Sequence, residues 1–326
     1  MSKILLENHL EPLRAFLDQP EVSEISINKP GGVWVEQRGV MSHHSVPELS
    51  LRHLKDLAKL VATYTSQSIS EEQPLLAAHL PEGYRIQFVY PPAVLDHTLG
   101  ISIRRSSLLD RDLDWYDEQG ALSAELNSKR QQESTQQKTL LRELYEQKKY
   151  KEFLSLAVQA RANILISGGT STGKTTFLNM LLKQIPKEER LITIEDVPEI
   201  QVRQPNALSL FASRGQQGRA QIDMQDLLEA SLRLRPDRII IGELRGAEAF
   251  SFLRAINTGH PGSIATVHAD TAELAFEQLI LMVMQKKLGL GRNEIENYAR
   301  LIIDIVVQLK KAPDGGRYIS EVYYKA

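Results

Sequence analysis

The stretch ISGGTSTGKTTF, residues 166–177, constrains this chain more than any other. It has the form G-x-x-x-x-G-K-T, with Gly168 and Gly173 framing a loop closed by Lys174 and Thr175. An apolar strand-like run, NILIS, precedes it and a helical pattern follows. Strand, glycine loop and helix in that order make backbone N–H groups converge on phosphate oxygens and aim the positive end of the helix at them. Lys174 is placed to reach the β- and γ-phosphates, and the Thr175 hydroxyl to ligate Mg²⁺. Gly168, Gly169, Thr170, Ser171, Thr172, Gly173 and Thr176 form the rest of the cradle. No N-K-x-D segment follows to read a guanine, which points to ATP rather than GTP.

The surroundings of the loop predict an α/β domain. NILISG, LITIED, DRIIIGEL and SIATVHA are short runs rich in β-branched residues, as expected of buried strands. Helical patterns separate them: TTFLNMLLKQI, DMQDLLEASLRL and AEAFSFLRAI. This alternation predicts a mainly parallel sheet, closed by a hairpin turning at Pro313-Asp314-Gly315-Gly316. The first ~105 residues read differently, as a smaller mixed α/β unit. EISINKPGGVWVEQRG alternates around a Pro-Gly-Gly turn, LRHLKDLAKLVATYT has helical spacing, and GYRIQFVYPP and LGISIRRSS are further strand candidates. Between the two units, SAELNSKRQQESTQQKTLLREL begins as a linker and ends as the start of an amphipathic helix. The expected division is 1–108, an N-terminal α/β domain; 109–148, linker and helix; and 149–326, the nucleotide domain.

Composition excludes several other classes. A net charge of −2 gives no general pull toward nucleic acid or anionic lipid, and no sequence-specific nucleic-acid binding is expected. The absence of cysteine removes disulfides and thiolate metal sites. Acidic residues and Pro12 in MSKILLENHLEPL argue against a signal peptide, and the apolar run LIIDIVVQL is short and broken by Asp304. The chain is therefore expected to be soluble, or at most peripheral to a membrane. His43 and His44 are adjacent on a strand-like run, point to opposite faces and make a poor chelate.

Three more segments belong beside the loop. LITIED ends in Glu195 and Asp196, and RIIIGE ends in Glu243, at strand carboxyl ends where open α/β sheets bind ligands. Glu243 could orient or deprotonate an attacking water, and Glu195 could hold that water or, with Thr175 and Asp196, the metal. Taken singly, each is also compatible with a solvated strand-end acid. His268, in SIATVHAD, is a candidate sensor of the γ-phosphate or a structural histidine.

The run ISGGTSTGKTT, then TIEDVPE, RPDRIIIGELRGAEAF and NTGHPGSIATVHAD, resembles the type IV secretion traffic ATPases, within the wider superfamily of secretion and pilus motor ATPases. In order, these segments are similar to the family's Walker A motif, Asp box, Walker B motif and His box. The resemblance extends more loosely through EISINKPGGVWVE, PLLAAHLPEGYRIQFVYPP and GISIRR. It implies a RecA-like C-terminal domain and a separate N-terminal domain. It also implies a homo-hexameric ring that hydrolyses ATP on the cytoplasmic face of the bacterial inner membrane. That ring would work with the inner-membrane channel and other ATPases of the secretion system. N-terminal arginines that reach the nucleotide phosphates are implied at Arg85 and Arg104, with Arg105 one register away; from the residues alone, both are equally readable as outward strand charges. Gly242 stands where many phosphate-loop ATPases carry an aspartate for Mg²⁺. With no cysteine, the chain lacks the four-cysteine zinc module of type II motors. A tight-adherence or type IV pilus assembly motor is the nearest alternative, and a hexameric nucleic-acid translocase a more distant one. On this reading ATP bridges Lys174 and Arg85 or Arg104, and its hydrolysis releases a swing about the Gln-rich linker.

Overall fold

The computed structural model describes residues 2–105, 112–213 and 220–325. The front of the chain runs α1 (Ser2–His9), α2 (Glu11–Leu17), β1 (Val22–Lys29), β2 (Gly32–Gln37), β3 (Val40–Ser45), α3 (Leu51–Tyr64), β4 (Leu75–His79), β5 (Arg85–Val89) and β6 (Gly100–Arg104). Pro12 sits in the first turn of α2, where its missing N–H costs nothing. The six strands form one antiparallel sheet in the order β3-β2-β1-β6-β5-β4. Strict alternation gives this sheet two unlike faces. Ile25, Ile27, Val35, Ile86, Phe88, Ile101 and Ile103 share a core with leucines of α1, α2 and α3. On the other face the register aligns Glu36, Glu24, Arg104, Arg85 and His79 in one row, and Trp34, Ser26, Ser102, Gln87 and Ala77 in the next.

The segment expected to begin as a linker is helical. After α4 (Leu113–Glu118), α5 runs unbroken from Ala124 to Glu146, with the Ser123 hydroxyl accepting from Leu126 N–H at its start. Gln, Glu, Lys, Arg and Leu are good helix formers, and neither Gly nor Pro interrupts them. Leu141 is the one buried residue of this helix, which explains why composition alone suggested a tether. The expected boundary at 108/109 lies outside the described residues.

The back of the chain continues with α6 (Tyr150–Gln159), β7 (Ile164–Gly168), α7 (Lys174–Leu182), β8 (Leu191–Glu195), β9 (Ala207–Phe211), α8 (Met224–Ser231) and β10 (Arg238–Ile241). It ends with α9 (Glu248–Asn257), β11 (Ile264–Val267), α10 (Ala272–Met284), α11 (Arg292–Ile302), β12 (Ile305–Lys311) and β13 (Arg317–Tyr324). The second sheet has the order β13-β12-β7-β11-β10-β8-β9 and is parallel except for the β12–β13 hairpin. β7, β8, β10 and β11 are buried at every position, because helices cover both faces.

The polar face of the front sheet lies against the β9 side of the second sheet. Val89, Ala93 and Val94 join the core of the back domain beside Leu208 and Leu210, and Phe211 N–H donates to Ala93 O at 2.9 Å. A Cβ on Gly100 would lie 2.5 Å from Leu208 Cδ2, so glycine permits the close approach there. Farther along, Asn28 Nδ2 donates to Asn206 Oδ1 at 2.9 Å, and the fully buried Arg190 donates to Asn28 Oδ1 at 2.9 Å and to Leu234 O at 2.8 Å. Arg235 pairs with Glu36 across the same seam, its Nε 2.9 Å from Oε2. Burial pushes the Glu24 carboxyl up to about 7, against the opposing pull of Ser102, Arg190 and Arg104.

Candidate nucleotide site

β7 carries the chain into the glycine loop. A Cβ on Gly168 would meet Thr172 Oγ1 at 2.4 Å and Leu309 O at 3.0 Å, and Gly173 has a left-handed backbone at φ +88°. Neither position accommodates a side chain without displacement or strain. Thr172 Oγ1 donates to Gly169 O at 2.9 Å and holds the loop in a tight arch. α7 then starts at Lys174, whose buried ammonium donates to Gly168 O at 2.9 Å and Gly169 O at 3.2 Å. Burial lowers the Lys174 pKa, Glu243 resists that shift and Arg245 adds to it.

A continuous polar chain leads away from this lysine. The His268 ring lies 3.3 Å from Lys174 Nζ, and its Nε2 is 3.0 Å from Glu243 Oε2. With Nε2 donating to the carboxylate, Nδ1 is free to accept from the ammonium. Glu243 also accepts from Arg245 Nε, and Arg245 Nη1 donates to Asp196 Oδ2 at 2.6 Å. Burial works against ionisation of Glu243, but Arg245, His268 and Lys174 together outweigh it and hold this carboxyl below the usual range. These five side chains follow the carboxyl ends of β7, β11, β10 and β8, where the sequence placed four of them; Arg245 was not among the expected residues.

Glu195 behaves differently from its neighbours. Its Oε2 accepts from the N–H groups of Glu199 and Ile200 at 2.8 and 2.7 Å, and its Oε1 lies 3.4 Å from Thr193 Oγ1. This buried carboxylate, its pKa raised by desolvation, shapes the loop after β8. The loop in turn presents Glu199, whose Oε2 accepts from Thr175 Oγ1 at 3.1 Å. Asn179 Nδ2 fixes the same residue by donating to Glu199 O at 3.0 Å. Glu199 is thus a site residue that sequence reasoning missed, although it is the last acid of TIEDVPE.

Among the described residues no group of three or more His, Cys, Asp or Glu side chains is arranged to hold a metal ion. The Thr175 hydroxyl and the Glu199 carboxylate nevertheless supply two adjacent oxygen donors. That set suits Mg²⁺, which retains water and takes further oxygens from phosphate.

The Type II/IV secretion system protein family matches residues 7–314. The chain belongs to this family. It is 42% identical to the type IV secretion system protein VirB11 of Bartonella quintana (strain Toulouse) over 326 residues, 97% of this chain and 91% of the relative. It is 37% identical to the type IV secretion system protein PtlH of Bordetella pertussis (strain Tohama I), covering 97% and 94%. The crystal structure of the Brucella suis VirB11 ATPase in complex with sulphate superposes with a TM-score of 0.91 at 39% identity, over 99% of this chain and 95% of that one. The back domain is accordingly the RecA-like domain of a secretion ATPase, and the front domain its separate α/β partner.

One expected group of this secretion ATPase lies elsewhere. Arg85 and Arg104 line a cavity of about 350 Å³ with Glu24, Leu232, Arg233 and Arg235, and it shares no lining residue with the cleft holding Thr175, Glu199 and Glu243. Leu232 to Arg235 follow α8 and precede β10, which puts this cavity at the amino end of the parallel sheet. The phosphate loop lies at the carboxyl end. Within one chain, therefore, neither arginine meets Lys174. Arg105 faces another way again and donates to Gln19 O at 2.7 Å.

Proposed function

We propose that the chain hydrolyses ATP to ADP and phosphate within a homo-hexameric ring, and that the ring works at the cytoplasmic face of the bacterial inner membrane to power type IV secretion. The observation that carries this reading is the hydrogen-bonded series Lys174, His268, Glu243, Arg245 and Asp196 beside the glycine loop. Lys174, now resting on loop carbonyls, would turn to the β- and γ-phosphates. Thr175 and Glu199, with Asp196 close by, would hold Mg²⁺, which neutralises charge on the phosphates when bound. Glu243, ionised at neutral pH, orients the attacking water and accepts its proton. His268, lying between Lys174 and Glu243, changes partners when a γ-phosphate claims the lysine. No described helix is long and apolar enough to cross a membrane, which is compatible with peripheral docking onto an inner-membrane channel and companion ATPases.

The position of Arg85 and Arg104 adds a condition to this scheme. Both lie beyond reach of the nucleotide held by their own Lys174, so in a ring they complete the site of an adjacent copy. Loss of phosphate would then remove charge-assisted bonds between neighbours and free the front domain to move. Mixing two inactive variants tests this reading. Lys174→Ala chains and Arg85→Ala/Arg104→Ala chains should each lose turnover, while the mixture should recover a measurable fraction through composite sites. A mixture as inactive as its components, beside an active wild type, would overturn the shared site.

A further inference from the structure

The phosphate loop has two flanks, and the residues assigned so far occupy one of them. In the order β13-β12-β7-β11-β10-β8, His268, Glu243, Arg245 and Asp196 all come from the β11–β10–β8 side of β7. On the opposite side, β12 pairs with β7 up to Leu309↔Gly168, and the hairpin closes on the pair Lys311↔Arg317. This register carries Arg317 just past the start of the loop. Its Nε lies 3.4 Å from Ser171 O, and its Cδ would be 2.7 Å from a Cβ on Gly173. The aliphatic stem therefore lies directly on the glycine that precedes Lys174. Arg317 is exposed, and among the described residues no carboxylate pairs with its guanidinium. A lone, permanently charged fork held at the rim of a phosphate cradle, away from the hydrolytic acids, matches the diphosphate end of a nucleotide.

We infer that Arg317 is a further nucleotide-binding residue, reaching from the terminal hairpin to the α- and β-phosphates and contributing to ADP and ATP binding alike. This inference rests on the reading of the loop as an ATP site. A second ground for glycine at 173 follows: a side chain there would strain the backbone and also displace the Arg317 stem.

The experiment measures ADP and ATP binding by calorimetry on the full chain, together with steady-state ATPase kinetics. In Arg317→Ala and Arg317→Gln, the Kd for ADP and the KM for ATP should both rise about tenfold, the equivalent of one charge-assisted hydrogen bond, while kcat stays within about twofold. Arg317→Lys should recover part of the loss, and the nucleotide-free melting temperature should match wild type. Unchanged ADP affinity in both neutral variants would overturn the inference, as would a fall in kcat at constant KM, which would place the arginine at the γ-phosphate. Lys174→Ala separates the two levels. Wild-type ADP binding in that variant would remove the underlying site assignment, whereas lost binding there with normal binding in Arg317→Ala would remove only the role of Arg317.

Discussion

The two sheets of this secretion ATPase bury themselves by opposite means. The back sheet is parallel apart from the β12–β13 hairpin, and its four central strands, covered by helices on both faces, are buried at every position. The polar side chains Lys174, Glu243 and His268 consequently meet at the strand ends. The front sheet is antiparallel and only one of its faces is apolar. Its other face places Glu24, Ser26, Asn28, Gln87 and Ser102 in buried positions at the junction of the domains. Strands buried on both faces leave only their termini open to a ligand, whereas alternating strands can devote a whole face to a second domain.

The sharpest way to break this contrast is at a strand end. Glu243→Gln should lower kcat by about 100-fold or more without lowering the melting temperature, since the side chain serves the site and not the core. Turnover within a few fold of wild type would make Glu243 one more strand-end acid. The seam should answer in stability instead. Arg190→Ala removes a fully buried guanidinium and leaves Asn28 Oδ1 and Leu234 O without their donor, so chemical denaturation should show a loss of about 3 kcal/mol. A change below about 1 kcal/mol would mean that the polar seam contributes little to cohesion.

Glu24 refines the picture further. A glutamate in the unfolded chain loses its proton near 4.5, but here burial delays that loss to about 7. The folded state holds the extra proton between those values, so stability is fullest below 4.5 and declines as pH rises through the window. The shift from 4.5 to about 7 corresponds to up to about 3 kcal/mol. Glu24→Gln should abolish the decline and leave the variant more stable than wild type at pH 8, as read from urea unfolding at pH 5 and pH 8. Parallel pH profiles for the two proteins would show that Glu24 is not the group responsible.

Legibility in the sequence followed the same division. Glycine loop, buried strands and terminal carboxylates are local patterns, and all appear where periodicity and spacing placed them. Three strands escaped notice for local reasons too: β3 is exposed and polar, β4 reads LLAAH with no β-branched residue, and β9 follows the turn-like Pro205-Asn206. α5 was hidden by its polarity, because a helix with one buried residue has no apolar stripe for periodicity to find. Glu199 was obscured by its loop, whose course depends on the inward turn of Glu195. The location of Arg85 and Arg104 is a matter of how two domains dock, and no spacing within either strand encodes it.

The seam around Asn28, Arg190 and Asn206 has one more consequence. Amides, hydroxyls and charges that let go of each other can be hydrated at once, whereas a greasy contact torn open would seek the nearest other greasy patch. Under the proposed cycle of domain movement, this polar part of the joint is one that water can lubricate, beside the apolar contact of Val89, Ala93 and Val94 with Leu208.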